Sequence, residues 1–141
     1  MSMASADLSA ILGLKESMRG ANLMASLEQG FPVSALERVS HLISPAEPNF
    51  KYQIVSKATL ARRKSSHRPL TTEESDRVAR LALIWELALD LWGNEPDTRE
   101  FLFKPHAMLG GKSPIDAALQ SSVGAGMVEG IIGRAKYGSA A

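Results

Sequence analysis

The sequence predicts an all-α protein. Three observations carry that reading. Apolar residues recur at helical spacing, as in Val33, Leu36, Val39, Leu42 and Ile43, which puts them on one face of a 3.6-residue turn. Alternating β-branched runs of strand type are absent. Glycine, proline and serine fall where helices would stop and start.

Taken in order, Leu8, Ile11 and Leu12 form a short helix that Gly13 ends. Ala21 to Gln29 is a second, with Leu23, Met24 and Leu27 on one face and Gly30 as its stop. Pro32 sits in the first turn of the next helix, which Ser44 and Pro45 end. Two short helices follow, one from about Pro48 to Val55 and one from Ser56 or Lys57 to Ser65, with Phe50, Ile54 and Leu60 facing inward. "SSHRPL" has linker character. "LTTEESDRVARLALIWELALDLWGNEP" is the strongest helix. Thr71 or Thr72 caps it, Glu74 and Asp76 suit its N-terminal dipole, and Gly93 and Pro96 end it. Val78, Leu81, Ile84 or Trp85, Ala88 and Leu91 or Trp92 make its apolar face. Shorter helices run from Asp97 to Phe103 and from Ser113 to about Gln120. A last one runs from about Val123 to Lys136, with Met127, Val128, Ile131 and Ile132 on one face.

The totals exclude several classes. The chain has 141 residues, 45% apolar and 22% charged, values of an ordinary globular protein. No apolar run approaches the roughly 20 residues that a membrane span needs, and "MSMASADLSAIL" lacks the basic-then-apolar order of a secretory signal. There is no cysteine, so disulfides, thiolate metal sites and cysteine nucleophiles are excluded, which fits a cytoplasmic protein. The net charge of +1 conceals a basic stretch. Lys51, Lys57, Arg62, Arg63, Lys64 and Arg68 occur with no acid among them. That is a nucleic-acid footprint or, alternatively, a solvated helix end with its linker.

"GGKSP" at 110–114 invites comparison with a phosphate loop. That loop needs a glycine five residues before the Gly-Lys-Ser and a strand ahead of it. Here His106 stands in the glycine's place, and Pro114 removes an N–H where donors are wanted. The stretch reads instead as a corner in which Gly110 and Gly111 turn, Ser113 caps and Pro114 opens a helix. The histidines His41, His67 and His106 are scattered, without metal spacing. No nucleophile has a base, so catalysis is not expected. In "VSKATLARRK", Lys57, Thr59, Arg62, Arg63 and Lys64 would lie on the exposed side of a short helix, with Ala58 and Leu60 or Ala61 inside. A DNA recognition helix has that arrangement. In the tail, Arg134, Lys136 and Tyr137 lie near the chain end as an anchor for a partner, or as a frayed terminus.

These pieces together resemble the Xre/MbcA/ParS antitoxin family. The pattern is carried by Ser75, Asp76 and Arg77, by Phe101, Leu102 and Pro105, by the corner Leu109, Gly110, Gly111, Ser113 and Pro114, and by Glu129 and Tyr137. The resemblance covers roughly residues 32 to 138. It implies an Xre-like helix-turn-helix bundle over 1–69 and a small helical toxin-binding domain over 70–141. It further implies a type II antitoxin that covers the active site of a RES-domain, NAD⁺-consuming toxin and represses its own operon. Lys57, Thr59, Arg62, Arg63 and Lys64 would contact operator DNA. Glu129, Arg134, Lys136, Tyr137 and Gly138 would bind the toxin. No cofactor and no metal are implied, and the partners would be the toxin, the operator and a second copy within a mixed oligomer. A stand-alone helix-turn-helix regulator, whose C-terminal domain only dimerises, is the alternative. The glycines of the last helix, Gly124, Gly126, Gly130 and Gly133, each disfavour a helix by up to about 1 kcal/mol, so that helix is expected to be partly unfolded alone.

Overall fold

The computed structural model describes residues 10–13 and 22–138. Leu8 and Ala21, expected in the first two helices, lie outside the described residues. Every regular element among the described residues is helical. Contacts divide the chain into two compact units, Met1–Ala82 and Leu83–Ala141.

In the first unit, α1 (Asn22–Gln29), α2 (Val33–Ile43), α3 (Lys51–Ile54) and α4 (Lys57–Ser65) precede α5 (Thr72–Trp92), whose first half completes the unit. Phe31, Leu36, Val39, Ile43, Phe50, Ile54, Leu60, Leu70, Val78 and Leu81 are buried, so the inward set expected at Phe50, Ile54 and Leu60 is observed. The burial follows the helical stripe of α2. Pro32 does not enter the first turn of α2 but precedes it as an extended N-cap, φ −66° and ψ 153°. The first short helix begins at Lys51 rather than near Pro48, and Val55 is its extended C-cap.

The first turn of α5 fastens this unit together. Thr71 and Glu74 form a reciprocal capping box: the Glu74 N–H donates to Thr71 Oγ1 (3.1 Å), and the Thr71 N–H donates to Glu74 Oε1 (2.9 Å). The Thr72 hydroxyl donates to the Glu28 carbonyl (2.9 Å), and the Phe31 N–H donates to the buried Ser75 hydroxyl (2.8 Å). The Leu70 N–H reaches the Phe31 carbonyl at 2.9 Å. Gly30 is required here: its φ is +98°, and a Cβ would strike the Leu70 carbonyl. The expected boundary at 69/70 precedes α5. The contacts separate within α5, after Ala82, because Leu70, Thr72 and Ser75 bond to residues 28–31.

In the second unit, the end of α5 is followed by α6 (Glu95–Phe103), a short 3₁₀ turn (Ala107–Leu109), α7 (Pro114–Gln120) and α8 (Ser122–Tyr137). Its buried set includes Ile84, Trp85, Ala88, Leu102, Leu109, Ile115, Ala118, Ala125, Val128 and Ile132. Trp92 does not belong to it: Trp92 is 44% exposed where Trp85 is 1% exposed. Pro96 does not end α5 but lies in the first turn of α6, behind an Asn94 cap that accepts from the Asp97 N–H (2.9 Å). Helices α7 and α8 pack closely. Their approach is set by Gly124, whose absent Cβ leaves room for the Ala117 backbone. The terminal helix is continuous from Ser122 to Tyr137 despite its glycines.

Candidate functional site

Two surfaces carry the candidate chemistry, one in each unit. In the first unit, Ser56 opens α4. Its hydroxyl accepts from the Thr59 N–H (3.3 Å) and donates to Thr59 Oγ1 (2.9 Å), so Thr59 is tied to the cap. Of the alternatives Leu60 and Ala61, Leu60 is the residue α4 buries and Ala61 is exposed, while Ala58, expected inside, is exposed as well. A helix this short needs only one apolar anchor when ion pairs hold its other side. Those pairs divide the basic run. Arg63 donates Nε and Nη2 to the two oxygens of Glu74, at 3.2 and 3.1 Å. Lys64 reaches Glu37 at 2.6 Å, and Lys51 reaches the same carboxylate at 3.6 Å. The Glu37 bond raises the Lys64 pKa above the usual lysine value. Lys57 and Arg62 are exposed, Lys57 with its ammonium 5.8 Å from the Tyr52 ring centroid. The helix ends in a Schellman turn, Arg68 N–H to Arg63 carbonyl at 2.9 Å and His67 N–H to Lys64 carbonyl at 3.2 Å. His67 holds the left-handed position, φ +54°, where glycine is usual.

In the second unit, the corner is built as its residue types require. Gly110 and Gly111 have φ +66° and +86°, and Ser113 Oγ accepts from the Asp116 N–H at 3.1 Å. The His106 ring is a structural acceptor for the Met108 N–H, at 3.2 Å. The corner presents Met108 outward. Helix α8 buries Ala125, Val128 and Ile132. Met127, expected on one apolar face with Val128, Ile131 and Ile132, is 48% exposed because the buried stripe of Ala125, Val128 and Ile132 passes beside it. Met108, Val123, Gly126, Met127, Gly130, Ile131 and Arg134 line a hollow of about 300 Å³. On the other side of Ile131, a second hollow of about 500 Å³ includes Trp92, Phe101, Lys104, His106 and Ala135. The Trp92 and Phe101 rings are tilted at 42° with centroids 5.9 Å apart.

The tail residues differ in their roles. Arg134 lines the first hollow. Lys136 is ion-paired with Asp90, which raises the lysine and lowers the carboxylate pKa, and its ammonium lies 5.6 Å from the Tyr137 ring centroid. Tyr137 is 75% exposed, Glu129 is half-buried, and Gly138 has φ +79°. Arg134 and Tyr137 thus extend an apolar face that Met108, Val123 and Met127 begin. Periodicity alone hides those three, because it marks them as apolar without saying which side is covered. The acids Glu37 and Glu74 were also missed as partners of the basic run. A Thr-x-x-Glu capping box was readable at 71–74, but its arginine was not.

Among the described residues, no cluster of three histidines or carboxylates could hold a metal, and no helix is long and apolar enough to cross a membrane. A depression of about 700 Å³ lies beside α2 in the first unit and includes Glu37; there Arg38 donates to the Ala10 and Ile11 carbonyls, both at 3.3 Å, which caps the turn at 10–12.

Comparison with known proteins agrees with this division. Residues 23–83 match the antitoxin Xre-like helix-turn-helix domain, and residues 87–138 match the antitoxin Xre/MbcA/ParS C-terminal toxin-binding domain. A Yersinia enterocolitica protein named antitoxin Xre is 31% identical over 90% of this chain and 86% of its own length. A Pseudomonas putida antitoxin Xre is 29% identical over 78% of this chain and 69% of its own. A Photorhabdus laumondii antitoxin Xre is 27% identical over 86% and 83%. With a helix-turn-helix match in front, a toxin-binding match behind and relatives aligned across both, the chain belongs to the Xre/MbcA/ParS antitoxin family.

Proposed function

We propose that this protein is a type II antitoxin that neutralises a RES-domain, NAD⁺-consuming toxin by covering the toxin's active site. The observation that carries the reading is the exposed face of α8. Met127, Arg134 and Tyr137 stand on it beside Met108 and Val123, uncovered by the protein's own core. Large exposed apolar side chains next to arginine and tyrosine have the composition of a binding hot spot. Occlusion needs shape and charge but no catalytic group, so the protein acts without cofactor or turnover, in the cytoplasm.

The first unit serves DNA. Helix α4, capped by Ser56, offers Lys57 and Arg62 to phosphates from an exposed face, and a homodimer within a toxin–antitoxin oligomer would place two such helices on an operator. The alternative is a regulator whose second unit only dimerises, and the basic helix alone would suit it. Cellular NAD⁺ separates the two. Induction of the neighbouring toxin gene is expected to deplete NAD⁺, and co-expression of this protein to restore it. A harmless neighbour with constant NAD⁺ would leave the regulator in its place.

A further inference from the structure

The basic residues between Lys51 and Arg68 are not equivalent. Lys51 and Lys64 lean on Glu37 across partly exposed surface. Lys57, Arg62 and Arg68 are exposed, and among the described residues no carboxylate pairs with them. Arg63 differs from both groups. Its side chain is 18% exposed and that of Glu74 10%, and the two meet through a two-point bond. Such a pair is held by geometry as well as charge, and separating it leaves one desolvated charge alone. Glu74 is also committed to the Thr71 N–H and so to the start of α5. Helix α4 has one buried residue, Leu60. Packing on a single leucine fixes a position but not an angle.

We propose that Arg63 and Glu74 form a clasp that sets the angle of α4 on α5, and that Arg63 is a positioning residue rather than a phosphate contact. Lys57, Arg62 and Arg68 are then the residues presented to the DNA backbone. This inference rests on the DNA-binding reading above.

The test is a salt titration of binding by the full chain to a duplex taken from directly upstream of its own coding sequence. Glu74→Gln and Arg63→Ala are expected to weaken binding by at least about threefold each, and the double variant by little more than either. The slope of log K against log salt should stay unchanged in both, whereas Arg62→Ala should lower it by about one. Arg63→Lys keeps the charge but loses the fork, so it should weaken binding as Arg63→Ala does. The sign for Glu74→Gln is decisive. If Arg63 contacts phosphate, removing its internal competitor frees it and binding strengthens. Stronger binding by Glu74→Gln, full affinity in Arg63→Lys, or a slope reduced by Arg63→Ala would each overturn the proposal. If the unaltered protein binds no duplex, the DNA reading fails, and hydrogen exchange decides the clasp. Faster exchange of α4 amides in Glu74→Gln and Arg63→Ala, with α8 unchanged, sustains it; unchanged α4 exchange overturns it.

Discussion

The Ala117 carbonyl occupies the space that a Cβ on Gly124 would need. This contact explains one glycine of the terminal helix and leaves others unexplained by sterics. Gly126 and Gly133 have open space where their Cβ atoms would stand. Gly124→Ala is therefore expected to destabilise the second unit by about 2 kcal/mol, since backbone must move to admit the methyl. Gly126→Ala should stabilise by roughly 0.5–1 kcal/mol through helix propensity. Urea unfolding of the two variants checks the opposite signs.

The clasp also predicts a pH dependence. Burial would raise the Glu74 pKa, but the bonds from Arg63 and Thr71 outweigh it and hold the carboxyl below its ordinary value of 4.5. A depressed carboxylate stabilises the fold fully above its unfolded pKa and ceases to do so as pH falls through its folded one. Stability should thus fall below about pH 4.5 in the unaltered protein. Glu74→Gln should be less stable at neutral pH and flatter across that acid range, as measured by thermal unfolding at stepped pH.

On the second unit, exposure predicts which residues serve the toxin. Tyr137→Ala with Arg134→Ala, and separately Met127→Asp, should weaken toxin binding by about tenfold or more, the loss expected of a hot-spot residue. The fold should persist, because none of the three belongs to the buried set. Titration calorimetry against purified toxin measures the loss, and circular dichroism checks the helix content. Unchanged rescue of toxin-expressing cells would count against this face.

Glu37 offers a gain of function. It holds Lys51 and Lys64 through one carboxylate. Glu37→Gln should release both ammonium groups, strengthen DNA binding and steepen its salt slope by up to about two. Fluorescence anisotropy at stepped salt tests this, with equal slopes as the contrary result.

What the sequence determined by itself is mostly what is local. The helices, the Ser113 cap, the Gly93 stop and the Gly110–Gly111 corner were legible because each depends on bonds between residues three or four apart. The family pattern was legible for the same reason, as short motifs in order. Spacing could not say which apolar residues stay uncovered. Met127 shared one apolar face with Val128 and Ile132, and Trp92 was the alternative to Leu91 on the face of α5; tertiary packing left Met127 and Trp92 at the surface while Val128, Ile132 and Trp85 are buried. Nor could it say which cations are free. Arg62 and Arg63 are neighbours of identical chemistry, yet one is exposed and the other is gripped by a carboxylate on another helix. Only the folded chain brings that carboxylate within bonding distance, and an ion pair has no signature in the sequence around either partner.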